Sequence, residues 1–176
     1  CGKQDQYASA YGGLNYMSFT KDNTIIEPLE IPNGLEDLLL LVYMGKRKEM
    51  GEDIIKDQMA RLNLKSFHRQ KAIALSMKTA LELNYLKSLG KLLNEAWYEK
   101  IQYSPYISTP EINAFYADCI GTGAIGGKLT GAGGGGYMLL MEDPKKIGQL
   151  KDYLGKRNIK YENVRFDKEG VCVRSP

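Results

Sequence analysis

Apolar and polar positions change period several times along this 176-residue chain. Residues 1–12 form a glycine-bounded segment whose middle suits a short helix. Residues 13–19 and 24–31 carry the strand-type side chains Tyr16, Phe19, Ile25 and Ile26. Between them lies Lys21-Asp22-Asn23, with turn chemistry at its end, so the pair predicts a hairpin. Pro32-Asn33-Gly34 is the next break. Residues 38–43 are a short, wholly apolar run that reads as a buried strand and ends at Gly45. Residues 46–64 are mixed and polar. From Ser66 to Tyr103 the spacing is helical, because Leu89, Leu92, Leu93, Ala96 and Trp97 recur at three and four residues. Asn84 and Ser88-Leu89-Gly90 mark a bend or a break within that region, and Pro105 ends it.

Thr109-Pro110-Glu111 is a helix start: a hydroxyl N-cap, proline at the first helical position and an acid in the first turn. Ile112, Phe115, Tyr116 and Cys119 continue its apolar face to about Gly121. A glycine-rich stretch follows, and residues 137–141 read as a strand. Residues 144–157 predict an amphipathic helix using Ile147, Leu150, Tyr153 and Leu154. Two strands, 160–166 and 171–174, close the chain around a turn at Glu169-Gly170. This order predicts an α+β domain with helices packed on an antiparallel sheet.

Composition narrows the function classes. At 43% hydrophobic and 26% charged residues the chain is an ordinary globular sequence. A net charge of +3, with Lys and Glu alternating, gives no reason to invoke nucleic acid or a membrane surface. There is no signal-peptide pattern and no apolar run of spanning length. Three scattered cysteines and one histidine make neither a disulfide framework nor a metal-ligand spacing, so the expectation is a reducing, cytoplasmic setting without a metal site in this chain. Cys119 and Cys172 read as small buried hydrophobes, Trp97 as core and His68 as a surface or capping residue.

Two segments carry candidate chemistry. The first is Lys128-Leu129-Thr130-Gly131-Ala132-Gly133-Gly134-Gly135-Gly136. Glycine at this density lets backbone N–H groups crowd toward one anion, since no Cβ intervenes and positive φ is accessible. A flexible linker is the bland alternative, but linkers normally carry serine and polar flanks. The dinucleotide fingerprint needs a strand before and a helix after, and the order here is reversed. The P-loop needs Gly-Lys followed by Ser or Thr, whereas Leu129 follows Lys128. The second segment is Gly2-Lys3-Gln4-Asp5-Gln6, which by itself reads as a surface turn.

Together these two motifs, in this order, resemble the galactokinase–homoserine–mevalonate–phosphomevalonate (GHMP) kinase superfamily. The glycine run resembles its third signature, which implies that Lys128, Thr130 and residues 131–136 (Gly131, Ala132, Gly133, Gly134, Gly135 and Gly136) sit beside nucleotide phosphates. Asp5 matches the superfamily aspartate that faces the attacking hydroxyl. The resemblance places Lys3, Gln4 and Gln6 near the acceptor; Lys3 otherwise reads as a solvated lysine. The stretch from Gly2 to Tyr16, together with Gly123 to Leu129, is more similar to the heptose 7-phosphate kinase branch than to galactokinase or mevalonate kinase.

The resemblance implies a ferredoxin-like C-terminal domain over residues 33–176. Residues 1–32 would be a remnant of the preceding domain, which is ribosomal-protein-S5-like. It implies ATP and Mg2+ as cofactors, the metal's ligands lying mainly outside this chain, and a sugar phosphate as acceptor. The implied reaction is phosphorylation of the anomeric hydroxyl of a heptose 7-phosphate. Two departures matter. The basic stretch Tyr43-Met44-Gly45-Lys46-Arg47-Lys48-Glu49-Met50 replaces a Thr-Gly with small residues, and reads either as a solvated turn or as a phosphate contact. The superfamily's main ATP loop, Pro-x-x-x-Gly-Leu-Gly-Ser-Ser, is not in these residues and is expected upstream of Cys1. The chain alone is therefore expected to be inactive and to need that upstream half. A non-catalytic ligand- or partner-binding domain, or a kinase for another small sugar or alcohol, remain the alternatives.

Overall fold

The computed structural model describes residues 2–47, 50–61 and 63–172. Helix α1 (Gln4–Tyr11) leads into an antiparallel hairpin of β1 (Leu14–Phe19) and β2 (Thr24–Leu29), with Leu14 opposite Leu29 and Phe19 opposite Thr24. The turn is closed by Thr20 N–H donating to the Asn23 carbonyl at 2.9 Å, as the Asp22-Asn23 chemistry predicts. No residue of α1 is buried.

A one-turn helix, α2 (Leu35–Leu38), precedes β3 (Leu39–Tyr43) and was not anticipated. Strand β3 is wholly apolar because it is covered on both faces. Leu40 and Val42 join a core with Trp97, Tyr116, Leu129 and Leu150, while Leu39 joins a second with Ala80, Leu93 and Met141. Helices α3 (Gly51–Arg61), α4 (Leu64–Glu82) and α5 (Leu86–Lys100) follow, and a 3-10 turn, Ile101–Tyr103, ends the run. Helix α6 (Pro110–Thr122) starts at the expected cap, Thr109 Oγ1 accepting from the Ile112 N–H at 3.3 Å. Then come β4 (Ala124–Leu129), β5 (Tyr137–Glu142), α7 (Gln149–Lys156) and β6 (Tyr161–Asn163).

The four-stranded sheet has the order β4-β5-β3-β6, every neighbouring pair antiparallel. With helices between β3 and β4 and between β5 and β6, this is the ferredoxin-like β-α-β-β-α-β layout in an α+β domain. No helix among the described residues is long and apolar enough to cross a membrane.

Several expectations are corrected. Residues 124–129, taken as part of a glycine-rich loop, are strand β4. The glycines there are dictated by packing, since a Cβ on Gly126 would sit 1.9 Å from the Gly90 carbonyl oxygen. Gly90 in turn lies inside α5 rather than at a bend, because a Cβ there would meet Ile125 Cγ2 at 2.1 Å. Helix and sheet approach so closely that Gly126 makes room for the helix backbone and Gly90 for the Ile125 side chain. The break falls only at Asn84, whose φ is +54°. Helix α7 begins at Gln149, not at 144, which leaves Ile147 exposed in the preceding turn. The first closing strand shrinks to Tyr161–Asn163; of the second, Val171 and Cys172 are not strand, and the rest lies outside the described residues. Cys119 is fully buried, but Cys172 is exposed.

Candidate active site

The glycine run closes β4 onto β5 as a loop with unusual backbone geometry. Gly131, Gly133, Gly134, Gly135 and Gly136 all have positive φ, from +65° to +144°. Its base is fixed by Thr130 N–H donating to the Tyr137 carbonyl at 2.9 Å. Its tip is fixed by Gly134 N–H to the Ile107 carbonyl (2.8 Å) and Gly136 N–H to the Gly45 carbonyl (2.9 Å). On its outer side, Gln58 Nε2 donates to the Ala132 carbonyl at 2.9 Å. The N–H groups of Gly131, Ala132, Gly133 and Gly135 donate to no group among the described residues. A loop that is tied at several points yet keeps open donors has the geometry to receive an anion, and is not a free linker.

Cations converge on it. Lys128 arrives from β4 itself. Lys100, in the last turn of α5, donates from Nζ to the carbonyls of Gly131 (2.6 Å) and Leu129 (3.4 Å). The Arg47 guanidinium lies over the loop: a Cβ on Gly131 would stand 2.9 Å from Arg47 Nη2, and one on Gly136 3.5 Å. Within the basic stretch 43–50, exposed Arg47 is the residue that reaches the loop; Lys48 and Glu49 lie outside the described residues. Sequence reasoning missed Lys100 altogether, because a lysine ending an amphipathic helix is the commonest of surface features. Only the packing of α5 on β4 turns it toward the loop.

Burial, reinforced by the neighbouring Lys128 and Arg47 charges, pulls the Lys100 ammonium down to about 8. Burial alone lowers Lys128. The linkage sign for Lys100 follows. Between about 8 in the folded state and the ordinary lysine value near 10.5, the unfolded chain binds the extra proton, so stability rises with pH there. Below that window the charged Lys100 is a standing cost to the fold. Melting temperatures of wild type and Lys100→Met should show the wild type gaining on the variant as pH rises through this window. Parallel pH profiles would show that Lys100 keeps its ordinary basicity.

The second motif opens α1. Lys3 occupies the N-cap of α1, with Gln4, Asp5 and Gln6 in its first turn. Asp5 is exposed at the helix N-terminus, a favourable place for a negative side chain. The Gln6 amide, oriented to satisfy both of its ends, donates to the Gly2 and Lys3 carbonyls at 3.1 Å.

Helix α1 is tied to the sheet domain through the closing segment. Gly13 N–H donates to the Asp167 carbonyl at 2.5 Å, and Val171 N–H to the Ala10 carbonyl at 3.4 Å. Gly12 and Gly170 meet backbone to backbone there. An open cleft of about 550 Å³, lined by Ser9, Arg165 and Asp167 among others, runs between α1 and this segment. The hairpin is held by Lys78, which reaches Glu27 at 2.5 Å and stacks over Tyr16. No hydrogen bond, ion pair or ring contact among the described residues joins α1 to the glycine loop.

Residues 77–160, from late α4 to the start of β6, match the family model for the C-terminal region of GHMP kinases. The matched segment is a GHMP kinase C-terminal region. Over 178 aligned residues the chain is 33% identical to the D-glycero-alpha-D-manno-heptose 7-phosphate kinase of Campylobacter jejuni, covering 97% of this chain and 52% of that protein. A crystal structure of a Campylobacter jejuni sugar kinase superposes with a TM-score of 0.69 at 33% identity, covering 96% of this chain and 50% of that one. A D-glycero-D-manno-heptose 1-phosphate kinase from Bacteroides thetaiotaomicron shares the fold, with a TM-score of 0.66 at 24% identity over 99% and 50% of the two chains. The chain thus spans about half the length of the relatives it matches.

Proposed function

We propose that this chain is the C-terminal half of an ATP-dependent cytoplasmic sugar kinase that phosphorylates the anomeric hydroxyl of a heptose 7-phosphate. The observation that carries the reading is the glycine loop, with four open N–H donors beside three cations, within a GHMP kinase C-terminal domain. Identity to a heptose 7-phosphate kinase across nearly the whole chain supports the substrate.

ATP supplies the transferable γ-phosphoryl group. Among this chain's residues, the N–H groups of Gly131, Ala132, Gly133 and Gly135, with Lys128, bind phosphate oxygens and offset charge as it spreads in a loose transition state. Asp5 accepts a hydrogen bond from the anomeric hydroxyl and aims its oxygen at phosphorus. It takes the proton as the new P–O bond forms and the bond to the ADP leaving oxygen breaks. Lys3 and Gln4 flank the acceptor, while Gln6 shapes the α1 start through its two carbonyl contacts. Among the described residues no group of three His, Cys, Asp or Glu side chains is placed to hold a metal ion. The Mg2+ ligands are expected mainly in the remainder of the protein, as is the main ATP loop.

Incubating the full-length protein with ATP, Mg2+ and D-glycero-D-manno-heptose 7-phosphate should give ADP and a 1,7-bisphosphate, visible as a new anomeric phosphate in ³¹P NMR. Turnover of galactose, fucose or mevalonate but not the heptose phosphate would replace the substrate. No turnover of any acceptor, with ligand binding retained, would leave a non-catalytic binding domain.

A further inference from the structure

We infer that Arg47 and Lys100 are phosphoryl-binding residues, forming with Lys128 and the glycine loop a three-cation pocket for a multiply charged phosphate group. The inference rests on the kinase reading only for the source of the phosphate, not for the existence of the pocket.

Three elements that are far apart in sequence deliver the charges: the segment after β3, the end of α5, and β4. The Arg47 fork crowds the space that a side chain on Gly131 would fill and lies within ordinary contact of one on Gly136, so Gly131 admits the guanidinium as well as the loop's own curvature. It also stands 3.3 Å from where a Cβ on Gly51 would be, at the first residue of α3. The N-terminus of that eleven-residue helix therefore adds its partial positive charge to the same spot. Lys100 and Lys128 are both half-buried, and neither they nor Arg47 forms an ion pair with a carboxylate among the described residues.

Elsewhere on this protein basic side chains find acids readily. Arg69 pairs with Glu95 and Glu99, Lys78 with Glu27 and Glu82, and Arg165 with Glu36. Like charges gathered without a counter-ion raise the energy of the fold, and their mutual repulsion contributes to the lowered basicity of Lys100. A bound phosphoryl group relieves that repulsion and takes up the open N–H donors at once. An arginine fork and two ammonium groups suit a dianion or polyphosphate far better than a carboxylate.

A purely structural alternative exists for Lys100, as a strap on the Gly131 and Leu129 carbonyls, and the test separates the two. Melting temperatures of the full-length protein are followed against inorganic pyrophosphate for wild type, Arg47→Ala, Arg47→Lys, Lys100→Met and Lys100→Arg. The half-saturating concentration should rise by about tenfold or more in Arg47→Ala and Lys100→Met, the scale of a lost charge-assisted hydrogen bond. Lys100→Arg should recover most of it, and Arg47→Lys, which loses the fork, less. If Lys100→Met does not fold, exposed Arg47 carries the test alone.

Steady-state kinetics then identify the source. A KM increase confined to ATP assigns the pocket to nucleotide phosphate, and one confined to the sugar phosphate assigns it to the acceptor's own phosphate. A wild type without kinase activity but with Arg47-dependent stabilisation by pyrophosphate would remove the kinase reading and leave the pocket standing. A lower melting temperature with an unchanged pyrophosphate response would reduce Lys100 to a strap. The same pyrophosphate response in wild type and Arg47→Ala, or none in wild type, overturns the inference.

Discussion

Replacing Asp5 with Asn in the full-length protein should lower kcat by ~10²–10⁴-fold, the usual worth of a positioned acid–base group. The substitution keeps the side chain's shape and removes its charge and most of its basicity. The KM for ATP should barely move, because the role proposed for Asp5 is on the acceptor. Folding should also survive, since Asp5 is exposed in the first turn of a helix with no buried residue. The measurement is steady-state kinetics with ATP and acceptor varied separately, alongside a melting curve. A near-normal kcat would remove Asp5 from the site. A fall in kcat accompanied by a large loss of stability would mean that Asp5 serves α1 rather than the reaction.

The second large effect is expected at Gly133. Its φ of +112° is a region that L side chains rarely adopt, and a Cβ would lie 2.9 Å from both the Cα and the carbonyl oxygen of Ile107. Gly133→Val therefore combines backbone strain with overpacking against main chain that cannot move aside. Together these should cost about 3 kcal/mol or more. The displaced loop would also turn its N–H donors away from the phosphates, so the KM for ATP should rise at temperatures where the variant is still folded. Gly148→Ala is the control. It too has positive φ, +88°, but nothing lies within 4 Å of its Cβ, so only about 1 kcal/mol should be lost and nucleotide binding kept. Equal losses at the two positions would mean that backbone strain alone, not the contact with Ile107, makes glycine necessary at 133.

Local chemistry was read correctly wherever its cause was local. The hairpin follows from β-branched and aromatic residues around Asp22-Asn23, and α6 from its Thr109-Pro110-Glu111 start. The apolar run Leu39–Tyr43 identified a buried strand, since no exposed strand tolerates that sequence. The glycine run identified its loop because five positive-φ residues in six demand glycine whatever surrounds them.

Other glycines gave the opposite impression. Gly90 looked like a helix break and Gly126 like loop, although both sit in regular structure. Glycine signals conformational freedom and close approach in the same letter. Which of the two applies depends on a neighbour that is distant in sequence, here α5 against β4.

The candidate site divides along the same line. The sequence by itself determined an α+β order of elements, an acidic helix start and a glycine loop, because each element is signalled within a short local stretch. Tertiary structure alone decided that Arg47 and Lys100 meet at that loop, and that the closing segment returns to hold α1. Charge carries no record of its destination in the sequence. A lysine at the end of α5 becomes a half-buried neighbour of two other cations only once the sheet has brought three separate segments to one place.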